Sequence, residues 1–161
     1  MRQWRRVANE AMQFSVSTAK FIALLHVTDS YLFSPILAHG SSMLPTFNFS
    51  GDVVLAERLS HRFGRVVPGD VVMVRAPDDP NMMVGKRVLG MEGDKVTFVD
   101  PASIRQYRKT TVVPKGHVWI QGDNTKESFD SRSYGPVPYG LIQGRAFFRV
   151  WPPNGFGFVD D

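Results

Sequence analysis

Three segments of the chain hold side chains whose types and spacing could do chemistry. The first is Gly40-Ser41-Ser42-Met43-Leu44-Pro45-Thr46. The second is Gly85-Lys86-Arg87-Val88-Leu89-Gly90. The third runs from Gly122-Asp123-Asn124 through Ser128-Phe129-Asp130-Ser131-Arg132 to Tyr134-Gly135-Pro136-Val137-Pro138. A serine hydroxyl is a weak nucleophile and needs a base within about 2.6–3.2 Å. Lysine can be that base when burial disfavours its ammonium form. Lys86 sits beside Val84, Val88 and Leu89, the most apolar strand-like surroundings available to a lysine here. On a strand its side chain points away from that of Arg87, so one face can be buried while the other is salt-bridged. Each segment also has a plain reading: a turn before proline, a solvated strand face, a surface ion pair.

Other chemistries have less support. There is no cysteine, which excludes disulfides, zinc-thiolate sites, iron–sulfur clusters and thiol nucleophiles. None of the four histidines, His26, His39, His61 and His117, has a second histidine two to five residues on, so a zinc site would need distant partners. A Ser-His-Asp triad stays open, because its members need not be close in sequence, but no Gly-x-Ser-x-Gly elbow supports it. A phosphate-binding Gly-x-x-x-x-Gly-Lys-Ser/Thr loop is absent. Arg and Lys are scattered rather than interleaved with aromatics, so nucleic acid is not an expected partner.

The elements that must position these residues are short strands. Val53–Ala56, Val71–Val74, Lys86–Met91, Lys95–Val99, His117–Gln121 and Ala146–Trp151 are apolar or alternating runs bounded by Gly and Pro. No strand–helix alternation occurs. The expectation is a mainly β domain, an antiparallel barrel or bent sandwich over residues 40–161, with an irregular tail after Trp151. Residues 1–39 read differently. Arg2, Arg5 and Arg6 precede a mostly apolar stretch, Phe14–Ala38, interrupted by Lys20, His26 and Asp29. An internal charge costs roughly 2.5–3.5 kcal/mol in a membrane span, so this segment either crosses once with Lys20 snorkelling or lies in the interface. An uncleaved membrane-anchoring helix is the better reading; a packed helix and an Arg-rich targeting segment are the rivals.

The 161 residues suffice for one domain with a real core. With 43% hydrophobic and 21% charged residues the composition is that of an ordinary globular protein, which excludes dominant disorder and a polytopic membrane protein. A net charge of +4 is compatible with anionic lipid but does not demand it.

Taken together, the three segments resemble the boxes of the type I signal peptidase family, serine–lysine proteases that remove signal peptides at a membrane surface. The resemblance covers Gly40 to Trp151. It implies Ser42 as nucleophile and Lys86 as general base. It implies Ser128 as the residue orienting the lysine, Asp130 and Arg132 as an ion pair holding the site, and Asp123 as a supporting residue. Many bacterial members carry a serine two residues before the nucleophile, where this chain has Gly40; Ser41 is one position off. The oxyanion hole would then rest on backbone N–H groups, the Ser42 amide first. The short tract between Met91 and Pro114, nearly free of inserted β material, and the run Asp130-Ser131-Arg132 through Ile142 are similar to the mitochondrial inner membrane branch. That branch implies precursor proteins with cleavable signal or sorting peptides, membrane lipid and a second related subunit as partners. It also implies no cofactor, and a catalytic domain facing the intermembrane space. A bacterial or chloroplast enzyme, or a non-catalytic interaction module on the same fold, are the alternatives. A self-cleaving repressor of serine–lysine type would need a helix-turn-helix that residues 1–39 are too short and apolar to supply.

Overall fold

The structure, a computed structural model, describes residues 2–101 and 107–159. Helix α1 (Arg2–Val27) runs into a π-turn (Thr28–Leu32) and then a sheet. The strands are β1 (Phe33–His39), β2 (Ser50–Glu57), β3 (Val71–Arg75), β4 (Met83–Gly90), β5 (Lys95–Val99), β6 (Arg108–Val112), β7 (His117–Gln121), β8 (Val137–Pro138), β9 (Ile142–Trp151) and β10 (Gly157–Phe158). A short helix α2 (Ser131–Tyr134) precedes β8. The main sheet has the order β1-β2-β9-β3-β4-β7-β8, with β10 added to β9, and every pairing is antiparallel. The mainly β expectation is therefore met.

Strand β3 is buried along Val71–Val74 because both of its faces are covered. Val72 and Val74 enter one core with Val88, Val118, Ile120 and Ile142, while Val71 enters a second with Met43, Phe47, Val54 and Ala146. That double burial is why the sequence shows an unbroken apolar run there. Strand β4 lies beside β3 and inherits the same two-sidedness, which sets Lys86 and Arg87 on opposite sides of the sheet.

Four expectations need correction. The apolar amino-terminal stretch is not one element: the helix stops at Val27, and Phe33–His39 pairs with β2 from Phe33↔Glu57 to Ala38↔Asp52. Pro35 has no N–H and cannot sit inside a helix, but it fits an edge strand such as β1. The sheet thus begins inside the segment read as amino-terminal. Second, among the described residues no helix is long and apolar enough to cross a membrane, because polar residues recur along every turn of α1 up to Lys20. Third, the tract between Met91 and Pro114 holds more β structure than expected: the foreseen strand β5 pairs with an unforeseen β6, and Val96 and Phe98 pack with Val113 and Trp119. Fourth, the tail is not wholly irregular as far as Val159: β10 returns onto β9, and the Phe156 and Phe158 rings meet Phe148 edge-on at 4.9 and 5.2 Å.

Candidate active site

On β4, Val84, Lys86 and Val88 point into the first core, and Lys86 is only 3% exposed. Its Nζ donates to Ser128 Oγ at 2.8 Å, and Ser128 Oγ donates to Asp130 Oδ2 at 2.6 Å. Asp130 is fully buried and caps α2, taking the Arg132 amide at 3.1 Å on Oδ1 and the Gly122 amide at 3.0 Å on Oδ2. The Arg132 guanidinium completes the shell, Nε at 2.8 Å and Nη2 at 2.9 Å. Its other hydrogens reach the Thr125 and Ser128 carbonyls, so it clamps the loop as well as the carboxylate. Ser131 Oγ accepts the Ile120 amide at 3.0 Å and pins the same loop to β7.

These contacts fix the protonation states. Burial pushes the Asp130 carboxyl up, but hydrogen bonds from Arg132, Ser128 and two amides outweigh it and hold the group below the usual range. Burial pushes Lys86 down from the ordinary lysine value; Asp130 pulls it partly back and Arg132 lowers it again. With Asp130 ionised, the one proton of Ser128 is committed to the carboxylate, so the Ser128 oxygen can only accept from Lys86. A neutral Lys86 therefore gives one N–H to Ser128 and keeps its lone pair for another proton.

Ser42 lies in the turn after β1. Gly40 opens this turn at φ 110°, a region where only glycine is unstrained, and donates its N–H to the Phe49 carbonyl. Met43 and Phe47 anchor the turn in the second core. The Ser42 carbonyl accepts the Asn124 amide at 3.0 Å, and the Ser41 carbonyl accepts Asn124 Nδ2 at 3.1 Å. Gly122 is the contact point: a Cβ there would fall 2.5 Å from the Ser42 carbonyl oxygen and 2.6 Å from Ser128 Cβ. Only glycine lets the serine turn and the lysine-holding loop meet. Ser42 borders a groove of about 670 Å³ lined by Ile36, Ala38, Met43, Met73, Met83 and Gly85 among others. Lys86 borders a neighbouring cavity of about 150 Å³ lined also by Phe129 and Tyr134, and Met82 and Val84 line both.

A second network ties the three segments together on the other face. Arg87 grips Asp123 with Nε at 2.9 Å and Nη2 at 2.8 Å and reaches the Gly69 carbonyl with Nη1. Thr46 Oγ1 donates to the same carboxylate at 2.5 Å. Burial raises the Asp123 carboxyl, yet Arg87 and Thr46 bring it below its ordinary value. Thr46 and Asn124 lie inside the segments singled out from sequence, but their bridging roles were missed. His39 lines the groove with Ser42 but packs on the Phe49 ring, His117 meets the Lys115 carbonyl, and no histidine bonds Ser42 among the described residues.

This arrangement has a known lineage. The family described as "Signal peptidase, peptidase S26" matches residues 11–103 and 98–151. The chain belongs to this family. It is 57% identical over 157 residues, 98% of this chain and 94% of the relative, to the mitochondrial ATP-independent inner membrane protease subunit 1a of Arabidopsis thaliana. It is 41% identical to mitochondrial inner membrane protease subunit 1 of Mus musculus, across 98% of this chain and 93% of that one. A subunit 2 from Danio rerio is 43% identical over 120 residues, 71% of this chain and 62% of that one. The chain is thus a serine peptidase of the signal peptidase class.

Proposed function

We propose that this peptidase works through Ser42 and Lys86. The observation that carries the reading is the buried Lys86 whose only recorded hydrogen-bond partner among the described residues is a serine already committed to Asp130. Neutral Lys86 takes the Ser42 proton as the hydroxyl attacks the scissile carbonyl. The tetrahedral intermediate collapses, the leaving amine takes that proton from Lys86, and an acyl-serine remains. Lys86 then deprotonates a water, which releases the acid and restores the serine. The Ser42 amide has no acceptor among the described residues and is the donor best placed for the oxyanion. Ser128 orients the lysine, Asp130 and Arg132 hold Ser128, and Asp123 supports the serine turn.

The substrate lies extended in the groove between edge strand β1 and the start of β4, where Met83–Lys86 has β3 on one side and no strand on the other. The names of the relatives support work at the mitochondrial inner membrane as a protease subunit. On this reading its substrates are precursors with cleavable sorting peptides, a related second subunit is its partner, and its catalytic domain faces the intermembrane space. Helix α1 rests on that membrane rather than crossing it: Trp4, Met12, Phe14, Ile22 and Leu25 are all exposed and await an apolar surface. Precursor cleavage in detergent tests the dyad. Ser42→Ala and Lys86→Ala should each abolish it with the fold retained, and the double variant should be no worse than either. Activity in Lys86→Ala overturns the reading.

A further inference from the structure

The segment between β2 and β3, residues 58–69, holds Arg58, Arg62 and Arg65 with exposed Leu59, Phe63 and Val67, and no acid. Its shape is set from both ends by buried carboxylates. Glu57 accepts the Leu59 and Ser60 amides, Asp70 accepts the Val67 amide, and Arg145 pairs with both acids. The flanking negative charge is therefore buried and neutralised, while Arg62 and Arg65 project outward. Among the described residues neither has a carboxylate partner; they lie over the Tyr31 and Phe63 rings at 5.5 and 5.8 Å.

The loop is also tied to the end of α1. The Arg58 amide donates to the Leu32 carbonyl at 2.8 Å, the Arg58 guanidinium bonds Ser34 Oγ, and Ser34 Oγ donates to the Asp29 carbonyl. Whatever surface α1 lies on, this loop is held within a few residues of it. We infer that residues 58–67 form a second membrane contact, with Arg62 and Arg65 binding the phosphates of anionic phospholipids and Phe63 entering the headgroup layer. Cations alternating with exposed apolar side chains fit a lipid surface better than an acidic protein face, which would leave Leu59, Phe63 and Val67 unmatched. This inference rests on the placement of α1 at the membrane proposed above. Its consequence is orientation: two contacts, one on each side of the Leu32–Phe33 junction, fix how the groove faces the bilayer.

The test uses the full chain with vesicles of phosphatidylcholine alone or mixed with phosphatidylglycerol. A Phe63→Trp reporter should shift its emission to the blue on anionic vesicles and far less on neutral ones. Arg62→Gln with Arg65→Gln should weaken partition to anionic vesicles roughly 25-fold, about fivefold per charge, and leave partition to neutral vesicles unchanged. Arg62→Lys with Arg65→Lys should keep most of the preference, which separates charge from local packing. Loss of binding to both vesicle types on deleting α1 tests the helix alone. An unmoved reporter, or equal binding of the Gln variant, overturns the loop assignment even if α1 binds. If the Gln pair instead loses association with a second subunit and keeps its lipid preference, the loop belongs to a protein and the inference fails.

Discussion

Lys86 and Arg87 are neighbours on one strand and have opposite environments. Lys86 faces the core, is nearly inaccessible, and bonds to a neutral hydroxyl. Arg87 faces the other way, keeps 21% of its side chain exposed, and meets a carboxylate through a two-pronged fork. A cation beside an acid is stabilised as a cation, and a cation in an apolar pocket is destabilised. The strand thereby makes one residue a permanent charge that holds segments together and its neighbour a group able to shed its proton. The difference comes from the two-residue period of the strand, not from either residue type alone.

The largest effect follows from giving Lys86 the chemistry of Arg87. In Lys86→Arg the guanidinium stays protonated at any workable pH. Cleavage should fall on the order of 10⁴-fold or more. In the wild type the neutral lysine is the active form, so kcat/KM should rise with pH through one ionisation lying below the ordinary lysine value of about 10.4. A pH–rate profile beside the Arg87→Lys variant sharpens the comparison. That variant keeps its charge but loses the fork, and should lower the rate without moving the ionisation. An active Lys86→Arg enzyme would erase the distinction between the two faces.

Next in size is Asp130→Asn. The amide cannot accept on both sides, so Arg132, 7% exposed, is left partly uncompensated and the fold should lose about 3–5 kcal/mol. The sign of the pH effects is fixed. Asp130 is held below its ordinary value, so its stabilisation is present above the carboxylate range and lost as pH falls through the folded-state value. The variant's urea midpoint should lack that part of the acid decline. Asp130 also raises Lys86 while Arg132 lowers it, so removing the carboxylate charge should shift the acid limb of any residual activity to lower pH. A limb that moves upward instead would mean that Lys86 is not sensing this pair.

Much of this is legible in the amino-acid sequence. The strands carrying Val53–Ala56, Val71–Val74 and Lys95–Val99 announce themselves by apolar runs between turn residues, and the three chemical segments stand out by type and spacing. Strand β1 was hidden because its apolar residues continue those of α1, and only the pairing with β2 separates them. Strand β6 was hidden because Arg108-Lys109-Thr110-Thr111 is polar on both faces and mostly exposed. The bridging contacts were hidden for a different reason. Thr46 meets Asp123 across 77 residues of chain and Asn124 meets Ser41 across 83, and no local pattern encodes which turn a side chain will reach. That the Ser42 groove and the Lys86 cavity share Met82 and Val84 as lining was likewise invisible, since it depends on how β4 packs against its neighbours.

The smallest expected effect makes the finest test of the two faces. Thr46→Val removes the hydroxyl that donates to Asp123 while nearly keeping its volume. Asp123 retains the Arg87 fork, so the carboxylate is not stranded, and the loss should be about 1.5–3 kcal/mol, as for one hydrogen bond to a charged group. Thr46 closes the turn that begins at Gly40, so the change should loosen Ser42 and lower kcat several-fold. It touches nothing in the Lys86–Ser128–Asp130 chain. The ionisation seen in kcat/KM should therefore stay where it is in the wild type, even as the rate falls. If the ionisation moves with Thr46→Val, the serine turn and the lysine pocket are electrostatically one site, and the separation of the two faces of β4 does not hold. If rate and ionisation both stay put, the Arg87–Asp123–Thr46 network is a structural tie with no bearing on where Ser42 sits.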